Sequence, residues 1–253
     1  MHLTVWSFLI VCPLVFLAGL VDAIGGGGGL ISLPAFLFAG LPPHMAVATN
    51  KLSSSCGTSV VTARMIKNHL IDFKLALPSI LCAIIGSAIG SKLSLLIPEE
   101  VFLKAMIVIL PICAFLVLNR KIFNDEGSKE IEANLKTYLL AGTSALIIGA
   151  YDGMYGPGTG TFLIIAFTIF AKINMQAANG QAKIINLTTN ITSLIVFLIN
   201  GQVLIPLGLA AAACNMMGGY IGAGLAIKNG SKIIRPCIIL VLTILLIKII
   251  FGL

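Results

Sequence analysis

Two stretches decide the fold: Asp22-Ala23-Ile24-Gly25-Gly26-Gly27-Gly28-Gly29 in the first half of the chain and Asp152-Gly153-Met154-Tyr155-Gly156-Pro157-Gly158-Thr159-Gly160 in the second. Each follows an apolar segment, 3–21 or 137–150, and leads into a short one, 30–41 or 161–171. A longer segment with a polar start comes next, opening on Ala48-Thr49-Asn50-Lys51 in one half and Gln181-Ala182-Lys183 in the other, with Asn186 one turn later. A five-glycine run cannot hold a helix. Irregular backbone inside apolar surroundings persists only where protein or a water-filled cavity satisfies its polar groups.

The rest of the sequence says what those surroundings are. Of 253 residues, 58% are hydrophobic and 10% charged, with a mean hydropathy of +1.07. A soluble domain carries about 25% charge, so this chain lacks the polar residues to cover a globule of its size in water. Disorder and a secreted disulfide scaffold are excluded by the same composition. Further apolar segments at 45–62, 75–97, 101–118, 175–200, 203–227 and 233–253 make the expected class an all-α, multi-pass integral membrane protein. Segments 30–41 and 161–171 are too short to cross, since about 12 residues cover about 18 Å of a hydrocarbon core of about 30 Å. No Lys or Arg precedes the first apolar run, so a cleaved signal peptide is not expected and the first segment should stay in the protein.

The halves are related. A shift of 130 carries Gly19, Asp22, Gly26 and Gly28 onto Gly149, Asp152, Gly156 and Gly158. A shift of 132 carries Ala46, Lys51, Asn68, Gly86 and Gly90 onto Ala178, Lys183, Asn200, Gly218 and Gly222. The expected organisation is a first repeat at 1–118, a charged linker at 119–136 and a second repeat at 137–253. The loop at 64–74 holds Arg64, Lys67 and Lys74 against Asp72, while its counterpart at 200–205 is uncharged. The next pair of loops reverses the bias: Lys92 and Lys104 are cancelled by Glu99 and Glu100, whereas Lys228, Lys232 and Arg235 stand unopposed. Because basic loops face the cytoplasm, the repeats are expected to be inverted, with the broken helices or re-entrant hairpins meeting near the midplane. The net charge of +7 then reports orientation and not nucleic-acid binding.

Enzyme signatures are missing. No phosphate-binding G-x-x-x-x-G-K-[ST], H-E-x-x-H or G-x-S-x-G occurs, and the six cysteines are scattered singly. No metal site or cofactor is expected, and the chain is not expected to be an enzyme. His2, His44 and His69 lie near segment ends, and the sequons at Asn186 and Asn190 sit inside an apolar segment. What remains is a polar constellation inside the membrane, present twice. Helix N-termini after glycine breaks offer free N–H groups to an anion. A lysine at the bilayer centre costs about 2.5–3.5 kcal/mol on insertion scales, so Lys51 and Lys183 need a compensating partner unless they snorkel to a surface. Candidate anion-binding residues are therefore Lys51, Lys183, Thr49, Asn50, Gly26, Gly27, Gly28, Gly156, Gly158, Thr159, Gln181 and Asn186, with both ammonium groups converging on one cavity. Asp22 and Asp152 either cap the next helix, pair with a lysine, or bind a proton in coupling or gating. Gly86-x3-Gly90 and Gly218-x3-Gly222 read as close helix packing.

At these residues the sequence resembles the sulfite exporter TauE/SafE permeases, also called the 4-toluene sulfonate uptake permease family. The resemblance rests on Gly19-Leu20-Val21-Asp22 through Gly29, Leu33-Pro34 and Ala46-Val47-Ala48-Thr49-Asn50-Lys51. In the second half it rests on Tyr151-Asp152-Gly153, Gly156-Pro157-Gly158-Thr159-Gly160 and Ala182-Lys183. It covers nearly the whole chain. It implies a secondary transporter of small, often sulfur-containing oxyanions, such as sulfite or organosulfonates, in the bacterial inner membrane. A non-transporting membrane scaffold or assembly protein and an anion channel are the alternatives. The expected partners are a small anion and the lipid bilayer, with a homodimer left open and no nucleic acid.

Overall fold

The computed structural model describes residues 5–98, 100–101, 135–230, 232–233 and 236–237. Among the described residues, eight helices carry the fold. They are α1 (Val5–Gly25), α2 (Gly29–Phe38), α3 (Pro43–Lys67), α4 (Phe73–Leu96), α5 (Leu135–Met154), α6 (Thr159–Phe170), α7 (Met175–Ile199) and α8 (Ile205–Asn229). The expected segment 101–118 beyond its first residue, the linker 119–136 up to residue 134 and nearly all of 233–253 lie outside the described residues.

Local signals set several helix starts. Proline stands in the first turn of α3 and of α8, where its missing N–H is no loss. Asp72 caps α4, its carboxylate accepting from the Lys74 and Leu75 N–H groups, and Asn174 caps α7 through the Ala177 N–H. Among the described residues, four helices, α1, α4, α7 and α8, are long and apolar enough to span a membrane. The chain is an all-α, multi-pass membrane protein. At 10 and 12 residues, α2 and α6 reach about 15 and 18 Å, half of the core thickness.

Polarity is arranged for lipid. Trp6, Leu9, Leu17, Leu77, Leu81, Ile147 and Ile195 are exposed, which is the ordinary state of an outer helix whose solvent is hydrocarbon. Helix α3 is as long as α7 but buries Thr49, Asn50, Lys51, Ser53, Ser55, Thr58 and Thr62. It is an interior helix, and its polar side chains face other helices.

The halves are interleaved. Helix α1 packs on α8, α5 packs on α4, and α3 lies against both α7 and α8. Close contacts give the directions. Gly218 and Gly222 approach the backbone of Phe16 and Leu20, while Gly86 and Gly90 approach that of Leu146 and Ala150; each pair of helices therefore runs parallel. Helices α3 and α7 run antiparallel: Thr49, near the start of α3, accepts from the Leu204 N–H just beyond α7, and Gln181, near the start of α7, donates to the Asp72 carbonyl just beyond α3. The loops at 68–72 and 200–204 thus lie at opposite ends of the molecule.

The glycines at these crossings have no room for a side chain. A Cβ at Gly86 would lie 2.1 Å from the Leu146 carbonyl oxygen, and one at Gly218 would lie 1.9 Å from that of Phe16. Both obstacles are backbone, so the helices themselves would have to separate. Gly86→Leu and Gly218→Leu should each lower stability by about 1–3 kcal/mol or more, seen as a fall in the thermal unfolding temperature of the purified protein. Gly142→Ala is the comparison, since its Cβ meets only the Cys82 sulfur at 3.3 Å; it should cost less than about 1 kcal/mol. Equal losses in all three variants would show that close crossing is not what these glycines provide.

Candidate functional site

The site begins where α1 and α5 stop. Helix α1 ends at Gly25, and Gly26 turns the chain at φ +82°, a conformation open to glycine. The Gly26 carbonyl accepts from the Thr161 N–H at 3.2 Å, and the Gly25 carbonyl accepts from the Thr161 hydroxyl at 2.7 Å. The second break thereby satisfies backbone groups that the first leaves free, as irregular backbone in apolar surroundings requires. A Cβ on Gly26 would stand 2.2 Å from the Gly160 carbonyl carbon. The two breaks meet, as the sequence leads one to expect.

Each break carries an aspartate, and each aspartate receives a lysine from the opposite half. The Lys51 ammonium lies 2.7 Å from Asp152 Oδ2 and donates at 3.1 Å to Asn190 Oδ1. The Lys183 ammonium lies 3.0 Å from Asp22 Oδ2 and donates as well to the Asp22 backbone carbonyl. Neither lysine snorkels, for their exposures are 2% and 0%. Both aspartates also hold the short helix that follows. Asp22 Oδ1 accepts from the Gly28 N–H at 3.2 Å, and Asp152 Oδ1 accepts from the Thr159 hydroxyl at 2.7 Å. Of the alternatives in the sequence, pairing with a lysine is realised at both aspartates, while neither caps the short helix in the usual sense, since α2 and α6 start without a side-chain cap. One N–H expected to serve an anion at the start of α2, that of Gly28, is thus taken by the protein's own carboxylate.

Between the breaks lies a small cavity of about 20 Å³. Of the residues singled out in the sequence, Asp22, Gly26, Gly28, Asn50, Lys51, Asp152, Gly156, Thr159 and Asn186 line it. Counterparts face each other there: Asp22 and Asp152, Gly26 and Gly156, and, by the shift of 132, Ser54 with Asn186 and Thr58 with Asn190. The Asn50 carboxamide oxygen is buried and has no hydrogen-bond partner.

Five expected residues lie off this wall. Lys183 is behind Asp22, so the two ammonium groups do not converge on one space. Thr49 is spent on the Leu204 N–H at the start of α8. Gln181 is spent on the loop before α4. Gly27 does not reach the wall, and neither does Gly158, whose φ of +84° makes the turn into α6. Conversely, Ser54, Thr58, Asn190 and Asn215 line the cavity without having been singled out for it. Lys51, Ser54 and Thr58 are spaced i, i+3, i+7, and Asn186 and Asn190 are spaced i, i+4; those intervals put each set on one helix face. Asn215 could not be found that way, because it arrives from α8 by packing beside Gly19 and Gly57.

Comparison with known proteins gives the chain a family and relatives. Residues 11–249 match the family described as sulfite exporter TauE/SafE. The chain is 33% identical to "Probable membrane transporter protein ORF9" of Sinorhizobium sp. over 235 residues, covering 93% of this chain and 88% of that one. It is 31% identical to a "Probable membrane transporter protein" of Haemophilus influenzae, covering 94% and 92%. It is 32% identical to "Probable membrane transporter protein YfcA" of Escherichia coli K12, covering 93% and 87%. No solved structure matches the chain.

Proposed function

The chain belongs to the sulfite exporter TauE/SafE family, and from that membership we propose that it is a secondary transporter of a small oxyanion, sulfite or an organosulfonate being the nearest class, in the bacterial inner membrane. Its relatives are named as membrane transporters, which supports transport over catalysis. The observation that carries the anionic substrate is Lys51: a buried ammonium on the wall of a polar cavity, at the meeting point of two broken helices. Burying it costs free energy that an apolar residue would not, and a site that must hold an oxyanion is a reason to keep it. Charge-assisted bonds from an ammonium are about twice as strong as neutral ones, and amide groups such as that of Asn50 add donors for the remaining oxygens.

No nucleotide-binding motif is present in the sequence, so uphill transport draws on an ion gradient, the membrane potential or a partner protein. A divalent anion leaving the cytoplasm gains about 4.6 kcal/mol at 100 mV, at about 2.3 per charge. Export of such an anion needs no coupled ion, whereas uptake against the potential does. This reading has the basic loop at 64–74, with Arg64, Lys67 and Lys74 against Asp72, in the cytoplasm and its uncharged counterpart at 200–205 outside.

Two measurements test this. At an anion concentration of 100 times Kd, a ligand specific for the folded state stabilises it by about 2.7 kcal/mol, so a panel of oxyanions should raise the unfolding temperature of the wild-type protein. Lys51→Ala should weaken that binding at least tenfold while the protein remains inserted, and Lys51→Arg should restore it only in part. A wild-type protein stabilised by no oxyanion favours a scaffold, and full stabilisation of Lys51→Ala removes the lysine from the site. For orientation, single cysteines at Asn68 and Gly201 in a cysteine-free background should react with impermeant reagent from opposite sides; labelling from the same side contradicts the assigned topology.

A further inference from the structure

The two crossed pairs are equivalent in sequence and unequal in chemistry. All charges at the breaks are paired: two ammonium groups meet two carboxylates. Among the described residues, an incoming anion therefore finds no free cation at the cavity, and it finds two carboxylates that repel it. The space beside the closed pairs is small, about 20 Å³, and offers an oxyanion no charge that is not already engaged. Binding has to open one of the pairs.

The surroundings of the aspartates decide which. Asp22 Oδ1 is held by the Gly28 N–H, a group that only donates, so a proton on that oxygen would face another hydrogen. Its lysine is also fixed to the Asp22 backbone carbonyl, which no protonation removes, and lies off the cavity wall. Asp152 Oδ1 instead meets a hydroxyl. Thr159 Oγ1 stands 2.7 Å from Asp152 Oδ1 and 2.8 Å from the Gly156 carbonyl oxygen, and its single hydrogen can serve one of them at a time. When Asp152 is ionised, Thr159 donates to it. When Asp152 is protonated, the acid donates to Thr159 Oγ1, and the hydroxyl hydrogen turns to Gly156. Both protonation states are fully bonded without moving a heavy atom. The first half has no such rotor, since Gly29 stands at the counterpart position.

We propose that Asp152 is an internal counter-ion that the transported anion displaces from Lys51, leaving as the neutral acid, so that each anion bound takes up one proton at this pair while Lys183–Asp22 stays closed. This rests on the reading of the cavity as an anion site. The proton comes from bulk water onto an Asp152 oxygen, Lys51 keeps its charge, and the anion's oxygen takes the position the carboxylate held. Lys51 is prepared for it: its bonds to Asp152 and Asn190 use two of three N–H groups, and the absence of a side chain at Gly156 lets the ammonium stand close to the turn, where a Cβ would lie 3.3 Å away.

The ionisable neighbours are few. Helix α3 brings Lys51 to Asp152, and α1 brings Asp22 to the same cavity wall. Helix α4 contributes Ser87 and Ser91 beside Gly153, while its Lys92 is exposed. Helix α6 contributes Thr159, and α7 contributes Asn190 and Lys183, the latter held by Asp22. Along α5 itself, the Tyr151 hydroxyl donates to the Pro157 carbonyl.

The test uses the full-length protein in nanodiscs with sulfate and methanesulfonate as probes, whose charges are constant between about pH 5.5 and 8. Over the range where Asp152 is ionised in the free protein, Kd for either anion should rise tenfold per pH unit, and in weakly buffered medium one proton should be taken up per anion bound. Asp152→Asn should bind both anions with no pH dependence and no proton uptake. Asp22→Asn, whatever it does to affinity, should keep the slope. Thr159→Val should shift the pH at which the slope sets in, and Thr159→Ser should restore it. Anion binding by the wild type with a flat pH profile and no proton uptake overturns the proposal and leaves the transport reading standing, as does a slope that survives Asp152→Asn but vanishes in Asp22→Asn. If neither these probes nor any oxyanion in the panel binds the wild type at any pH, the anion reading falls and this inference falls with it.

Discussion

A lysine buried in an apolar interior has to be neutralised, and here each is neutralised by a carboxylate of the other half of the chain. Lys51 reaches Asp152 and Lys183 reaches Asp22. Much of the structure follows from that exchange. The aspartates must sit where helices α1 and α5 stop, because there they can also hold the start of α2 and α6. The breaks must touch, because the Gly25 and Gly26 carbonyls are satisfied by Thr161. Helices α3 and α7, which carry the lysines, must pass each other in opposite directions between the two breaks. Isolated buried pairs are weak evidence for stability, because the desolvation they require offsets their attraction. Retaining two of them in the interior is better explained by a task than by stability.

The glycines at the crossings serve the same geometry. Four of them sit on α4 and α8 against the backbone of α5 and α1, at distances a Cβ would close to about 2 Å. Helices that approach so closely hold the broken ends at a fixed depth, and the breaks can then meet edge to edge. Lipid gives no hydrophobic reason for these helices to associate, so close packing has to supply it. The outer surface is left apolar, and the polar side chains collect inward along α3 and α7.

The fold class, the breaks and the lysine–aspartate theme were legible in the sequence, because each is a local pattern or a repeat of one. Composition placed the chain in a membrane. The glycine runs placed the breaks. What could not be read was which side of a helix each polar residue occupies once two halves interleave. Thr49 and Gln181 sit one turn or less from the lysines, yet they turn toward the loops at 200–204 and 68–72. Asn190 reads as a formal sequon and proves to be a partner of Lys51. Lys183, the counterpart of Lys51, lies behind the wall that Lys51 lines, a difference the two identical residues cannot announce. The inequality of Asp22 and Asp152 comes from their neighbours, a backbone N–H in one case and a hydroxyl in the other. The exchange of glycine for threonine between positions 29 and 159 was visible; its meaning was not, until both acceptors of the Thr159 hydroxyl had been placed.

The account turns on Lys51 as the charge that receives the anion. A structure of the full chain soaked with selenate, located by the anomalous signal of selenium, tests this most directly. The account predicts the selenate oxygens within hydrogen-bond distance of the Lys51 ammonium, about 3 Å, with Lys51 and Asp152 parted and Lys183 still bound to Asp22. Selenate found away from Lys51, or lodged in the cavity with the Lys51–Asp152 pair intact, would contradict it.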